Sequence, residues 1–294
     1  NFTVGDNTKP TFTAPANIVI NKDASCNYNA STTITGDVTD EADNCDNTLN
    51  ATFVDGTAAG SCAGETIITR TWTLTDDCGN STVKVQTITI MDITPPTFTD
   101  PADITIYKDN SCNHDASVGV TGDVTDEADN CDNTLDATFG DVTVPGSCIG
   151  EEIITRTWSL TDDCGNNTTK TQVITVRDTT RPSITNVSAN PNVLWPPNHK
   201  MRDVTINYTA VDNCSPVTNV LSVTSNEPVN GNGDGNTSPD WIVVDDHHVI
   251  LRAERSGNGN GRIYTITITS TDDCGNLITT TTTVLVPHNM TIAQ

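Results

Sequence analysis

Four cysteines recur along this chain at one fixed offset. Cys26, Cys45, Cys62 and Cys78 are each followed 86 residues later by Cys112, Cys131, Cys148 and Cys164. The segment Thr35-Gly-Asp-Val-Thr-Asp-Glu-Ala-Asp-Asn-Cys-Asp-Asn-Thr-Leu49 returns unchanged as Thr121 to Leu135. An internal period sets the architecture before any single motif does, and this one dictates tandem copies of one cross-linked module.

The period divides the 294 residues into repeats of 86 residues at 6–91 and 92–177, followed by a divergent third repeat at 178–294. Residues 1–5 match the end of a preceding module: Phe2-Thr-Val4 corresponds to Ile88-Thr-Ile90, so it reads as a strand remnant or a donor strand. A window cut from a longer array is the expectation. Pro-containing joints such as Met91-Asp-Ile-Thr-Pro-Pro-Thr-Phe98 stiffen the connections. The third repeat keeps only Cys214 and Cys274, and gains the Gly/Asn-rich stretches 230–236 and 257–261.

Strand signals dominate. Ile67 to Thr75 and Ser81 to Ile90 alternate Thr or charge with apolar residues around the turn Asp76-Asp-Cys-Gly-Asn80, which reads as a hairpin. No segment has a helical period. The expected fold is all-β: three tandem immunoglobulin-like antiparallel β-sandwiches in an elongated array, stapled by disulfides. Aromatics make up only 4% of the chain, so each core is modest and staples matter.

Ten cysteines, even in number within each repeat, argue for an oxidising, extracellular setting. No Cys-x-x-Cys spacing supports zinc. The third repeat behaves as a natural deletion. Its two cysteines lie in Asp-Asn-Cys and Asp-Asp-Cys-Gly-Asn contexts, so they are expected to pair with each other. By analogy the bonds are Cys45–Cys78, Cys131–Cys164 and Cys214–Cys274. Elimination leaves Cys26–Cys62 and Cys112–Cys148. Each module would then carry one staple at each pole.

The net charge of −24 disfavours nucleic acid and anionic membrane as partners, and no apolar run is long enough to span a bilayer. The acid is 31 Asp against 7 Glu. Short carboxylates beside Asn and Gly suit hard cations. Asp40, Asp43, Asp46, Asp76, Asp77 and Asn80 gather with linker Asp6 at one pole of the first module. The second module repeats this with Asp126, Asp129, Asp132, Asp162, Asp163, Asn166 and linker Asp92. The third offers Asp212, Asp272, Asp273, Asn276 and linker Asp178. Ca²⁺ is the expected ligand, and turn capping by the same residues is the competing reading.

Chemistry-bearing motifs are otherwise missing. His114, His199, His247, His248 and His288 stand in no metalloprotease pattern, and no nucleophile elbow or P-loop occurs. The chain does not read as an enzyme. Trp72 and Trp158 hold equivalent strand positions and are expected in the core. Trp195 and Trp241 in the third repeat are candidates for stacking on a sugar ring, with half-buried anchoring of long loops as the competing reading. Asp234 and Asp240 are candidates for a cation or a sugar in a loop that otherwise reads as mobile. Several Asn-x-Ser/Thr sequons, Asn29 and Asn207 among them, are compatible with a glycoprotein.

The Asp-x-Thr-x-Pro-x-Phe joint, Asp-Asn-Cys and Thr-x-Thr-Asp-Asp-Cys-Gly-Asn resemble the hyalin-repeat (HYR-like) modules that recur in very large cell-surface proteins of Bacteroidota, including gliding-type adhesins. The likeness covers residues 1–180, and the third repeat resembles a related bacterial surface module. It implies an extracellular stalk, filament or adhesin on a bacterial cell surface, with no catalytic residues. The expected partners are neighbouring modules of the same longer chain or identical subunits, and surface glycans. The alternatives are a glycan-binding module centred on the third repeat, or a filament subunit that polymerises by donor-strand exchange.

Overall fold

Alternation builds the strands of the first repeat. In the computed structural model, which describes residues 5–229, 237–258 and 260–289, Thr66–Thr75 pairs antiparallel with Ser81–Met91 from Thr66↔Ile90 to Thr75↔Ser81. The intervening turn closes through Asp76 N to Asn80 O at 3.0 Å, with Gly79 at φ +89°. Gly tolerates that left-handed backbone without a Cβ clash. Thr52–Ala59 adds antiparallel on one side and Ile18–Asn21 adds parallel on the other. The sheet is therefore antiparallel-rich, with one parallel edge. Thr11–Thr13 pairs with Thr39–Ala42 in a second, two-stranded sheet. Phe12, Trp72 and Leu74 form one core cluster; Ile68, Ile88 and Ile90 form another. Two single-turn helices, Thr32–Thr35 and Val118–Thr121, occur where no helix was expected.

The second repeat has the same element order, from Thr97–Thr99 to Asn167–Arg177, and buries Trp158 as the first buries Trp72. The third sets a sheet ordered Ser183–Asn190, Met201–Val211, His248–Arg252, Trp241–Val243 beside one ordered Thr218–Ser225, Gly261–Thr271, Leu277–Pro287. The fold is all-β, immunoglobulin-like and disulfide-stapled.

The backbone forms two compact units. One comprises Asn1–Ala102, Gly122–Asp141 and Arg156–Gln172; the other comprises Asp103–Thr121, Val142–Thr155 and Val173–Gln294. The joint at Asp92 thus lies inside the first unit and the joint at Asp178 inside the second. The expected strand at Phe2–Val4, the stretch 230–236 and Asp234 lie outside the described residues.

Period-2 geometry also puts charge inside. Arg70 shares the face of Ile68, Trp72 and Leu74 and is 2% exposed. Its guanidinium grips Asp55 through two bonds of 2.8 Å, donates to Thr35 Oγ1 at 2.7 Å and lies 4.1 Å over the Phe53 ring. Such a bidentate, fully bonded pair offsets the desolvation of a buried cation. In the third repeat Arg262, 0% exposed, bonds Glu254 at 3.1 Å and also Asp240. Burial pushes the Tyr264 phenol beside it far above its ordinary value. Removing the cation would leave buried Asp240 without a charged partner and Glu254 with only the more distant Arg252 and the His199 ring. Arg262→Met should therefore destabilise the chain by about 3–5 kcal/mol in chemical denaturation, whereas exposed Val220→Thr should leave the midpoint unchanged.

Candidate functional site

The candidate site is the joint between successive repeats. It is built from four short loops and the linker. In the first repeat, Asp23 Oδ1 accepts from Ser25 N and Asn27 N, both at 2.9 Å, and this knot holds Cys26 at φ +60°. A second loop is drawn tight by Glu65, whose Oε2 accepts from Ser61 N at 2.5 Å and Ser61 Oγ at 2.6 Å. Those hydrogen bonds hold the Glu65 carboxyl below its ordinary value. Both loops lie at the pole that meets linker Asp92, away from the pole that holds Asp6.

On the facing pole of the second repeat, Asp129 Oδ2 accepts from Cys131 N at 2.7 Å and Asp132 N at 3.0 Å. Asp162 Oδ1 accepts from Cys164 N at 2.9 Å and Asn166 N at 2.8 Å. These are Asx-type turns, in which a short carboxylate replaces a backbone acceptor. They aim two thiols at the two loops of the first repeat.

The disulfides follow from that placement and overturn the expected pairing. The bonds are Cys26–Cys131, Cys62–Cys164, Cys112–Cys214 and Cys148–Cys274, each with a Cα–Cα distance of 5.1 Å. None of the within-repeat pairs Cys26–Cys62, Cys112–Cys148, Cys131–Cys164 or Cys214–Cys274 forms. Cys45 and Cys78, expected to bond each other, are free and exposed. The assignment of cysteines to poles holds; the assumption that each module closes on itself does not. Where the far pole of one repeat abuts the near pole of the next, the closest partner belongs to the neighbour. The two cysteines of the third repeat pair backwards rather than with each other.

The packing at the joint is tight. A Cβ on Gly64 would sit 2.8 Å from Asp92 Cβ and 2.9 Å from Cys164 Sγ. A Cβ on its counterpart Gly150, at φ +110°, would sit 3.2 Å from Asp178 Cβ and from Cβ of Cys214, the other receiving cysteine. Asn130 Nδ2 donates to Asp23 O at 3.0 Å, and Asn213 Nδ2 donates to Asp109 O at 2.9 Å. At the second joint Asp273 Oδ2 accepts from Ile149 N at 2.7 Å.

Each near pole also gathers three aspartates. Asp6, Asp43 and Asp76 form one set; Asp92, Asp129 and Asp162 the next; Asp178, Asp212 and Asp272 the third. In each set one oxygen per residue lies within 4.8 Å of the others. The linker aspartate joins every set. Asn80, Asn166 and Asn276 each bridge the linker carbonyl and the turn aspartate; Asn166 Nδ2 reaches Asp92 O at 3.3 Å and Asp162 Oδ2 at 2.7 Å. Asp178, only 5% exposed, has Oδ2 buried without a hydrogen-bond partner, as do Asp212 Oδ2, Asp129 Oδ1 and Asp43 Oδ1. Clustered, unpartnered carboxylate oxygens are costly unless a cation or proton neutralises them.

The remaining candidates serve the turns or stand apart. Asp46 and Asp132 cap their own loops through Thr48 N and Thr134 N, both at 2.8 Å, and those bonds hold both carboxyls below their ordinary value. Asp40 and Asp126 are exposed at positive φ. Asp77 and Asp163 donate their amides to Asp46 and Asp132. In the third repeat Asp240 is 2% exposed and bound to Arg262, so it cannot meet a sugar as expected. Trp241 packs edge-on against Tyr264 at 6.2 Å, while Trp195 is 42% exposed.

No family model and no curated protein matches the chain. Similar solved structures are extracellular cadherin domains 1-4 of Protocadherin Gamma B7 (12% identity, TM-score 0.33, 96% of this chain and 76% of that one) and mouse Cadherin-23 EC22-24 (13%, 0.32, 96% and 99%). Mouse Protocadherin-24 EC1-3 is a third (12%, 0.30, 96% and 100%). Scores of this size leave function and ligand to be argued from this chain's own residues.

Proposed function

We propose that this chain is a load-bearing repeat segment of an extracellular adhesin or filament, whose joints are covalently closed. The observation that carries this is the disulfide pattern: two bonds cross each joint in addition to the peptide linker. Eight cysteines in disulfides support an oxidising, extracellular setting. The hyalin-repeat resemblance, carried by the joint and cysteine motifs, supplies the bacterial cell-surface setting.

The mechanism is a covalent shortcut. Tension entering near the start of the first repeat passes from Cys26 to Cys131, and then from Cys148 to Cys274. Only about 60 residues then lie on the shortest covalent path, which bounds the extension to about 200 Å at ~3.5 Å per residue. The reduced chain extends to about 1,000 Å by the same measure. Single-molecule stretching should show a several-fold shorter final contour under oxidising than under reducing conditions. Equal contours would refute the role.

The aspartate sets extend this reading. Each would hold one Ca²⁺ between linker and turns, with Asp92, Asp129 and Asp162 as ligands at the first inter-repeat joint. A hard cation satisfies the partnerless oxygens and relieves the repulsion. Excess calcium should then raise the melting temperature over that in chelator, and Asp92→Asn together with Asp178→Asn should shrink the increment. An identical melt in calcium and chelator would leave the aspartates as turn caps alone. The glycan reading keeps only Trp195 of its described residues in an exposed position. The donor-strand reading rests on Phe2–Val4, outside the described residues.

A further inference from the structure

Stapling has a direction. At both joints the cysteines of the Asp-x-Ser-Cys-Asn and Gly-Ser-Cys loops come from the earlier repeat, and those of the Asp-Asn-Cys and Asp-Asp-Cys-Gly-Asn turns from the later one. The first repeat owns a complete receiving pair, Cys45 and Cys78, with nothing bonded to it.

That pair is prepared as its bonded counterparts are. Asp43 Oδ2 accepts from Cys45 N at 2.8 Å, as Asp129 Oδ2 does from Cys131 N at 2.7 Å. Asp76 Oδ1 accepts from Cys78 N at 2.9 Å, as Asp162 Oδ1 does from Cys164 N at 2.9 Å. Asn80 Nδ2 holds Asp6 O at 3.2 Å, the grip that Asn166 and Asn276 keep on the linker at the closed joints. The difference lies in cover. Asn44, Cys45 and Cys78 are exposed, whereas Asn130, Cys131 and Cys164 are half-buried. Asn44 Nδ2 reaches its own Cys45 Sγ at 3.1 Å, while Asn130 Nδ2 also caps the carbonyl of Asp23 in the neighbouring repeat.

We infer that Cys45 and Cys78 are the receiving half of a third joint, closed by a further repeat of the same kind placed ahead of the first. Its chemistry is specified: one loop like Asp23-Ala-Ser-Cys26-Asn27, one like Gly60-Ser-Cys62-Ala-Gly64, and a linker carbonyl at Asp6. A second copy of this chain does not fit. All four of its loop cysteines are engaged in its own joints, and the third repeat has none. The third repeat therefore receives staples but offers none onward.

Each closure is a thiol–disulfide exchange. One cysteine thiolate attacks a protein or small-molecule disulfide, forming a mixed disulfide and expelling one thiolate. The facing cysteine thiolate then attacks the mixed disulfide at the protein sulfur and expels the second. Two thiols are oxidised and one oxidant disulfide is reduced to two thiols; the two protons leave with them. The joint consumes two such disulfides.

The inference rests on the stapled-joint reading, and one experiment separates them. The full chain is extended by placing its residues 1–91 ahead of residues 6–294, so that Met91 runs into Asp6 as it natively runs into Asp92. After refolding in a glutathione–glutathione disulfide buffer, free thiols are alkylated and the bonds mapped. The expected result is two free thiols, now at the added copy's Cys45 and Cys78, with the added Cys26 and Cys62 bonded to the original Cys45 and Cys78. Changing the original pair by Cys45→Ser and Cys78→Ser should raise the alkylated thiols from two to four. An added Cys26–Cys62 bond, with the original pair alkylated or bonded to itself, would overturn the inference while Cys26–Cys131-type bonds upheld the stapled joints. Loss of those bonds as well would overturn both. Disulfide-linked dimers of the unextended chain would overturn the tandem placement.

Discussion

The disulfide across the joint is the interaction on which the other features depend. Each staple closes a loop of 102 to 126 residues, roughly two to three times the span of the within-repeat pairs that were expected. In the chain-entropy model a bond over about 100 residues contributes about 4.7 kcal/mol, some 1 kcal/mol more than one over a few tens. Its larger effect is positional. It fixes which loop faces which turn, and so brings Gly64 against Asp92 and Gly150 against Asp178. The small cores, with few aromatics, then need only hold each sandwich together, because the joints are held covalently.

The aspartates and cysteines share one scaffold. Asp129 and Asp162 cap the turns that present Cys131 and Cys164, and the same residues offer oxygens to the set that includes Asp92. A carboxylate that caps a cysteine turn and also lies within reach of two other carboxylates puts the disulfide and the acidic set at one place. The free Cys45 thiol shows the electrostatic side of this. Desolvation, then the negative charge of Asp6, hold it above its ordinary value.

Much of the fold was legible because period-2 alternation and an 86-residue period are both local or linear signals. The hairpin around Asp76–Asn80, the core tryptophans Trp72 and Trp158, and the gathering of linker and turn aspartates followed from residue order. The burial of Arg70 was legible too, because it has the parity of Ile68, Trp72 and Leu74. The disulfide pairing was not legible. Pole assignments were correct, yet two thiols at opposite ends of one module and two thiols across a joint give the same cysteine text. What decides between them is which pole abuts which, a long-range fact that no spacing encodes. One clue lay in the third repeat: it lost both loop cysteines and kept both turn cysteines, as a repeat that receives without passing on must. Asp240 misled for another reason. It follows a Gly/Asn-rich loop, yet Arg262, 22 residues on, draws it inside.

Where the sulfurs are joined decides between repeats stapled to their neighbours and repeats closed on themselves. Peptide mapping of the full chain under non-reducing conditions, with free thiols blocked before digestion, reads this directly. The structure predicts linked peptides carrying Cys26 with Cys131, Cys62 with Cys164, Cys112 with Cys214 and Cys148 with Cys274, and blocked thiols at Cys45 and Cys78. Linked peptides carrying Cys26 with Cys62, or Cys214 with Cys274, would contradict it.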